Sequence, residues 1–344
     1  WNATWLKSSG RSEMSSADST SQPTLGSGIE HLPEEQYETL KKAIRYEWIT
    51  IGVILATVVI VGLVAGQSQA MKSAWSEDII SLVPALAFLI AIRILRHPPS
   101  REHPYGPHRA IAVAHLVSGL ALFVMGCYLI FESVPALIAG EKPPIGTMVL
   151  FGHAFWSGWL MITAMVITST PMVILGRIKI KLARQLHDKV LYADADMAKA
   201  DWGTGLATIV GVLGIGAGIW WADSVAALVI SVSILKDGVT NIAASISGLS
   251  DARATQYDDS KPHPLTVEVE DLVQEVDWVE AARARVRDQG HLFHTEMFVV
   301  PIRGHQVTLE ELTQVRNMIR ELDWKFQDVV VVPVSDLDPR MVPK

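Results

Sequence analysis

A single cysteine, Cys127, stands in 344 residues, inside an apolar run. An intramolecular disulfide is excluded, and a thiolate-based zinc cluster has no ligands to draw on. Charge is scarce too, at 19% of residues. The net charge of −7 lacks the basic excess of a nucleic-acid-binding chain, so nucleic acid is not an expected partner. No span carries a His-Glu-x-x-His pair or a Gly-x-Ser-x-Gly elbow, so nothing marks the chain as an enzyme or as the holder of a resident cofactor. The first residues are polar and show no secretory signal, and a start on Trp1 rather than Met is expected for a fragment boundary or a processed end.

What is abundant is apolar surface. Hydrophobic residues make up 49% of the chain, and they cluster in runs of ~20, the length a helix needs to cross a bilayer. Residues 1–44 are instead rich in Ser, Thr, Gly and Glu and are expected to be disordered, apart from a short amphipathic piece over 33–45. Six spans are expected in the domain 45–250: 48–66, 75–95, 110–139, 146–176, a fifth from about 192 to 219, and 222–246. The stretches 96–109 and 177–189 hold most of the loop Lys and Arg. By the positive-inside bias they face the cytoplasm, and six spans then place both termini there.

After 251 the pattern becomes that of a soluble α+β domain, ending at 338 before a short tail, 339–344. Helical spacing over 264–280 is followed by two alternating runs around a Gly turn, an amphipathic helix and the strand "DVVVVPVSD". Thr308 and Glu311 make a capping box for that last helix.

Ionisable residues inside a span are expensive, so they usually pair or bind an ion. In the second span, Glu77 and Ser81 share a helix face, with Asp78 turned by about 100°. In the fifth, Asp194, Met197 and Asp201 fall on one stripe, while Asp196 and Lys199 are spaced to pair on a neighbouring face. If these helices meet, Glu77, Ser81, Met197 and Asp201 form one cluster. Carboxylate oxygens of this kind suit a divalent cation such as Mn²⁺. His115 and His153 read as hydrogen-bonded structural residues, and Arg109 as a salt-bridge partner.

Three motifs carry a family resemblance. "HPYGPHR" (103–109) resembles the loop before the third span of the cation diffusion facilitators, "LYADADMAKADW" resembles the opening of their fifth span, and "WADSVAALVIS" their sixth. The resemblance covers about 45–337. It implies metal–proton antiporters with six spans and a cytoplasmic ferredoxin-like domain, working as homodimers and exporting a divalent metal from the cytoplasm. A multi-pass protein of the plasma membrane, of bacterial source, is what it implies here. By register, the family's two ligand pairs fall on Glu77 with Ser81 and on Met197 with Asp201. The usual His- and Asp-rich zinc site is thus not reproduced, and Asp78 and Asp194, with Asp196 nearby, are the extra carboxylates that could complete it. The metal stays open among Mn²⁺, Fe²⁺, Zn²⁺ and Co²⁺. The competing expectation is a regulatory relative that lost transport and pairs with an active one. In the tail, the apolar last strand leaves only His291 and His294 as candidate regulatory ligands.

Overall fold

The structure is a computed structural model and describes residues 32–65, 75, 77–140, 147–150 and 153–338. Helix α1 spans Glu34–Ala65, α2 Leu82–Leu95 and α3 Ala110–Ala139. A small hairpin, β1 (Thr147–Leu150) and β2 (His153–Trp156), precedes α4 (Ser157–Leu186), α5 (Lys189–Gly216) and α6 (Ala222–Leu249). Then follow α7 (Leu265–Gln274), β3 (Val279–Gln289), β4 (Leu292–Pro301), α8 (Leu309–Leu322) and β5 (Asp328–Pro333). Four of the described helices are long and apolar enough to cross a bilayer: Glu77–Leu95, Ala110–Ala139, Gly158–Leu186 and Ala222–Leu249.

Within the helical part, α3 packs against α6, α4 against α5, and α5 touches α2, α3 and α6. Helices in lipid gain no hydrophobic advantage from meeting, so close packing through small residues carries the association. Gly126 and Gly238 show this at the α3–α6 crossing. A Cβ on Gly238 would stand 2.6 Å from the Phe123 backbone nitrogen, and one on Gly126 would stand 2.9 Å from that of Leu235. The outward faces carry Ile90, Phe131, Ile138, Ile167 and Val229, all exposed and apolar, as a lipid-facing surface requires.

Three expected boundaries move. The amphipathic piece and the first apolar run are one helix, α1, so the boundary at 44/45 falls inside it; Leu40 and Ala43 already pack in the core with Leu95 and Leu186. Residues 1–31 and 339–344 lie outside the described residues. Helix α4 begins at Ser157 rather than 146, because 147–150 pairs with 153–156; a short apolar run does not distinguish strand from helix by periodicity. Finally, the basic stretch 177–189 is no loop. It continues α4 to Leu186, with Leu182, Ala183 and Leu186 in the core beside α1 and α2. The turn to α5 is only His187 and Asp188, with His187 left-handed at φ 53.

The C-terminal unit has the expected order of helix, strand, strand, helix, strand. Its sheet runs β3-β4-β5, with β3 and β4 antiparallel and β4 and β5 parallel. Of the ferredoxin-like βαββαβ pattern, the described strands supply three, so α8 connects neighbouring parallel strands directly. Phe293, Met297, Ile319 and Phe326 are fully enclosed between sheet and helices, each contributing roughly 1.5–3 kcal/mol by burial. The Thr308–Glu311 capping box is present.

Candidate functional site

Helices α2 and α5 meet at Ser81. Its hydroxyl donates to Asp201 Oδ1 at 2.5 Å, and its backbone N–H reaches the Glu77 carbonyl at 3.0 Å. Ser81 sits at the start of α2, where Pro84 has no N–H to return to the helical ladder. The hydroxyl also lies 3.2 Å from the Glu77 carbonyl, but it has one proton to give. The short contact to Asp201 marks the carboxylate as its acceptor. Ser81 is buried, and Glu77, Asp78 and Asp201 are half-buried. Asp78 Oδ2 is buried without a hydrogen-bond partner among the described residues. Glu77 has Glu132, Asp201 and Asp78 as charged neighbours. Glu132 of α3 was not singled out in the sequence, although a lone carboxylate inside "YLIFESV" is the signal that marks it.

The other candidates are placed elsewhere. Asp194 accepts from the Lys179 ammonium, which also reaches Glu47 Oε2 at 3.2 Å. Lys179 and Glu47 are fully buried, so α1, α4 and α5 are tied by an enclosed carboxylate–ammonium–carboxylate triad. The extra carboxylate Asp194 is therefore already committed about two turns from Asp201. Neither Glu47 nor Lys179 was singled out, because Lys179 sits in what reads as a basic loop. Met197 is 1% exposed and closes into an apolar cluster with Leu122, Met125, Leu129 and Ile234. The expected pairing of Asp196 with Lys199 gives way to another. Lys199 bonds Asp237 of α6 at 2.7 Å, and Asp196 receives the Asn241 amide at 3.4 Å. A cavity of about 100 Å³ between α3, α5 and α6 is lined by Asp196, Lys199, Trp202, Ser233 and Asp237. Asn241 also meets His115 Nε2 at 2.9 Å, which gives that buried histidine a hydrogen-bond partner. The His153 side chain lies outside what the structure describes. Among the described residues, no three His, Cys, Asp or Glu side chains converge as a metal cage.

The tail histidines are likewise engaged. His291 Nε2 lies 2.7 Å from Asp188 Oδ2, and His294 Nδ1 lies 2.5 Å from Asp328. Arg109 bonds the Leu249 carbonyl and Asp251, tying the start of α3 to the end of α6. Around the α4–α5 turn, burial opposes ionisation of Asp288, yet Lys189 and His187 hold its carboxyl down to about 2. Burial, reinforced by His187 and Lys325, holds the His263 imidazole down to about 4.

Comparison with known proteins agrees with this architecture. Residues 48–250 match the family described as the cation efflux transmembrane domain. The chain is 26% identical over 205 residues to the manganese efflux system protein MneS of Bacillus subtilis, covering 59% of this chain and 66% of that protein. It is 25% identical over 286 residues to the manganese efflux system protein MneP of the same organism, covering 80% and 89%. An uncharacterized transporter of that organism, YdbO, is 25% identical over 302 residues, covering 87% and 97%. With a matched domain that fills well over half of it, apolar helices long enough to span a bilayer and a small C-terminal sheet unit, the chain belongs to the cation efflux family, the cation diffusion facilitator transporters.

Proposed function

We propose that the protein exports a divalent metal from the cytoplasm, Mn²⁺ foremost, in exchange for protons. The reading rests on one observation, the Ser81–Asp201 contact that joins α2 to α5 beside the unpartnered Asp78 Oδ2. Carboxylate, hydroxyl and water oxygens make a hard-donor set that suits Mn²⁺ better than a thiolate or imidazole metal site would. The names of two relatives point to the same ion. Asp201 is the central ligand, Glu77 and Asp78 bring further negative charge, and Ser81 holds Asp201 in place until a cation replaces its proton. Asp194 and Met197 stay outside this set, Asp194 neutralised by Lys179 and Met197 by packing. Bare carboxylates crowd unfavourably in a low-dielectric site, so protons and a dication compete for them, which is the basis of antiport.

The six-span arrangement, with both termini in the cytoplasm, follows the same reading: α1 and α5 complete the four apolar spans, and Lys and Arg gather near the 96–109 side. Assembly as a homodimer in a bacterial plasma membrane completes it. A second reading, a non-transporting partner of an active relative, draws on Met197, sealed among apolar side chains where a ligand belongs. Metal-dependent proton flux in proteoliposomes holding this chain alone separates them: flux that Asp201→Asn abolishes supports the transporter, and no flux with metal bound supports the partner.

A further inference from the structure

The helix that carries Asp201 begins at a joint built jointly by membrane and tail. Asp188 is the N-cap of α5: its Oδ1 accepts the Leu191 N–H at 2.9 Å, satisfying a donor that the helix leaves free. Its other oxygen, Oδ2, faces His291 Nε2 at 2.7 Å, and both side chains are fully buried. One carboxylate thus serves the helix start and the tail at once. The next residue, Lys189, reaches Asp288 at 3.1 Å and Asp259 at 2.7 Å. Asp288 and His291 flank the β3–β4 turn, so the hairpin tip grips the first two residues of this helix region from two sides.

The tip fits its place closely. Gly290 has φ +84, and a Cβ there would stand 3.0 Å from Ile111 Cδ1 and 3.2 Å from the His108 carbonyl. The turn is therefore wedged between the start of α3 and the α4–α5 turn, and only glycine satisfies both the backbone angle and the space. Asp201 lies thirteen residues further along α5, about 20 Å at 1.5 Å per residue. A helix tilt of about 5° at Asp188 displaces Asp201 by nearly 2 Å over that lever. Such a displacement is comparable to the whole tolerance of the Ser81–Asp201 contact.

We propose that His291 is a positioning residue for transport: from the cytoplasmic unit it holds the Asp188 cap and so sets the angle at which α5 presents Asp201 to α2. This rests on the transport reading above, but the position of α5 can be measured apart from it. The donor role belongs to His291 Nε2–H, so glutamine, whose amide also donates, is the conservative replacement, and alanine removes the bond. Asp188→Ser keeps one oxygen, which caps the Leu191 N–H, and has no second oxygen for His291, so it breaks the same link from the other side.

The test uses the full chain with Cys127→Ser and spin labels on cysteines replacing Leu86 of α2 and Leu206 of α5, both at exposed, outward positions. Pulsed electron resonance reads the α2–α5 distance, and Mn²⁺ uptake by proteoliposomes reads KM and the maximal rate. The expected result is a shift or broadening of about 2 Å in His291→Ala and Asp188→Ser, with KM for Mn²⁺ raised about tenfold. The double variant should be no worse than either single one, and His291→Gln should keep the parent distance and KM. If His291→Ala does not fold, the comparison of His291→Gln and Asp188→Ser carries the test alone. Unchanged distance and KM in Asp188→Ser, or effects of the two substitutions that simply add, overturn the proposal. A parent protein that moves no Mn²⁺ while the distances shift as expected overturns the transport reading and leaves the positioning of α5 standing.

Discussion

The Ser81 hydroxyl donates to the Asp201 carboxylate at 2.5 Å and so fastens α2 to α5. If this bond holds the ligand in register, removing the hydroxyl loosens the site without emptying it. Ser81→Ala is expected to weaken Mn²⁺ affinity by about 10–100-fold, the usual effect of losing a group that orients a ligand. Ser81→Asp, which adds a carboxylate beside Asp201, is expected to tighten it. Calorimetric titration of the purified protein with Mn²⁺ measures both, and equal affinities in all three forms would contradict the arrangement.

The Lys179 triad makes a stability prediction of a different kind. Lys179→Met leaves Glu47 and Asp194 facing each other, fully buried, and is expected to destabilise the protein by about 3–5 kcal/mol. Adding Glu47→Gln and Asp194→Asn to that variant removes the uncompensated charge and should restore most of the loss. Thermal unfolding in detergent compares the three. A single variant as stable as the parent would mean that the triad is not the closed charge network that its geometry describes.

Gly238 tests the α3–α6 packing. Its Cβ would stand 2.6 Å from a backbone nitrogen, which cannot swing away as a side chain can. Gly238→Ala is expected to cost about 1–3 kcal/mol through forced separation of the helices. The same change at Gly248, where nothing lies within 4 Å, should leave the melting temperature unaffected by crowding.

The junction between tail and membrane carries a pH dependence with a defined sign. The His263 imidazole titrates at about 4 in the folded chain and near 6.5 when unfolded, so the unfolded state takes up the proton first. Stability is complete above about pH 6.5 and falls as pH drops towards 4. Asp288, at about 2 when folded, adds a second loss only as pH falls through about 4 towards 2. The melting temperature should therefore fall between pH 7.5 and 5.5, and fall less in His263→Gln. Identical slopes in parent and variant would contradict this.

Much of the fold is legible in the sequence because apolar runs and capping residues act locally. The third span starts and ends at Ala110 and Ala139 as its apolar run does, and Thr308 with Glu311 announces α8. Helical spacing puts Ser81 and Asp201 each on a stripe of its own helix, while the family resemblance is what sets one against the other. What spacing does not carry is which charge finds which. Lys179 looks like part of a basic loop, yet it is buried against Asp194 and Glu47, a partnership set by the meeting of three helices. Lys199 is nearest Asp196 along its own helix, yet it turns to Asp237 on the next. Likewise, 147–156 reads as the start of a span because a short apolar run has no period of its own to separate strand from helix.

The most direct measurement is Mn²⁺ uptake into proteoliposomes under an imposed pH gradient, with the parent protein and Asp201→Asn side by side. The account predicts proton-driven Mn²⁺ accumulation by the parent and none above empty liposomes for Asp201→Asn, with both proteins folded by thermal unfolding. Equal accumulation by the two would contradict the assignment of Asp201 as the central ligand.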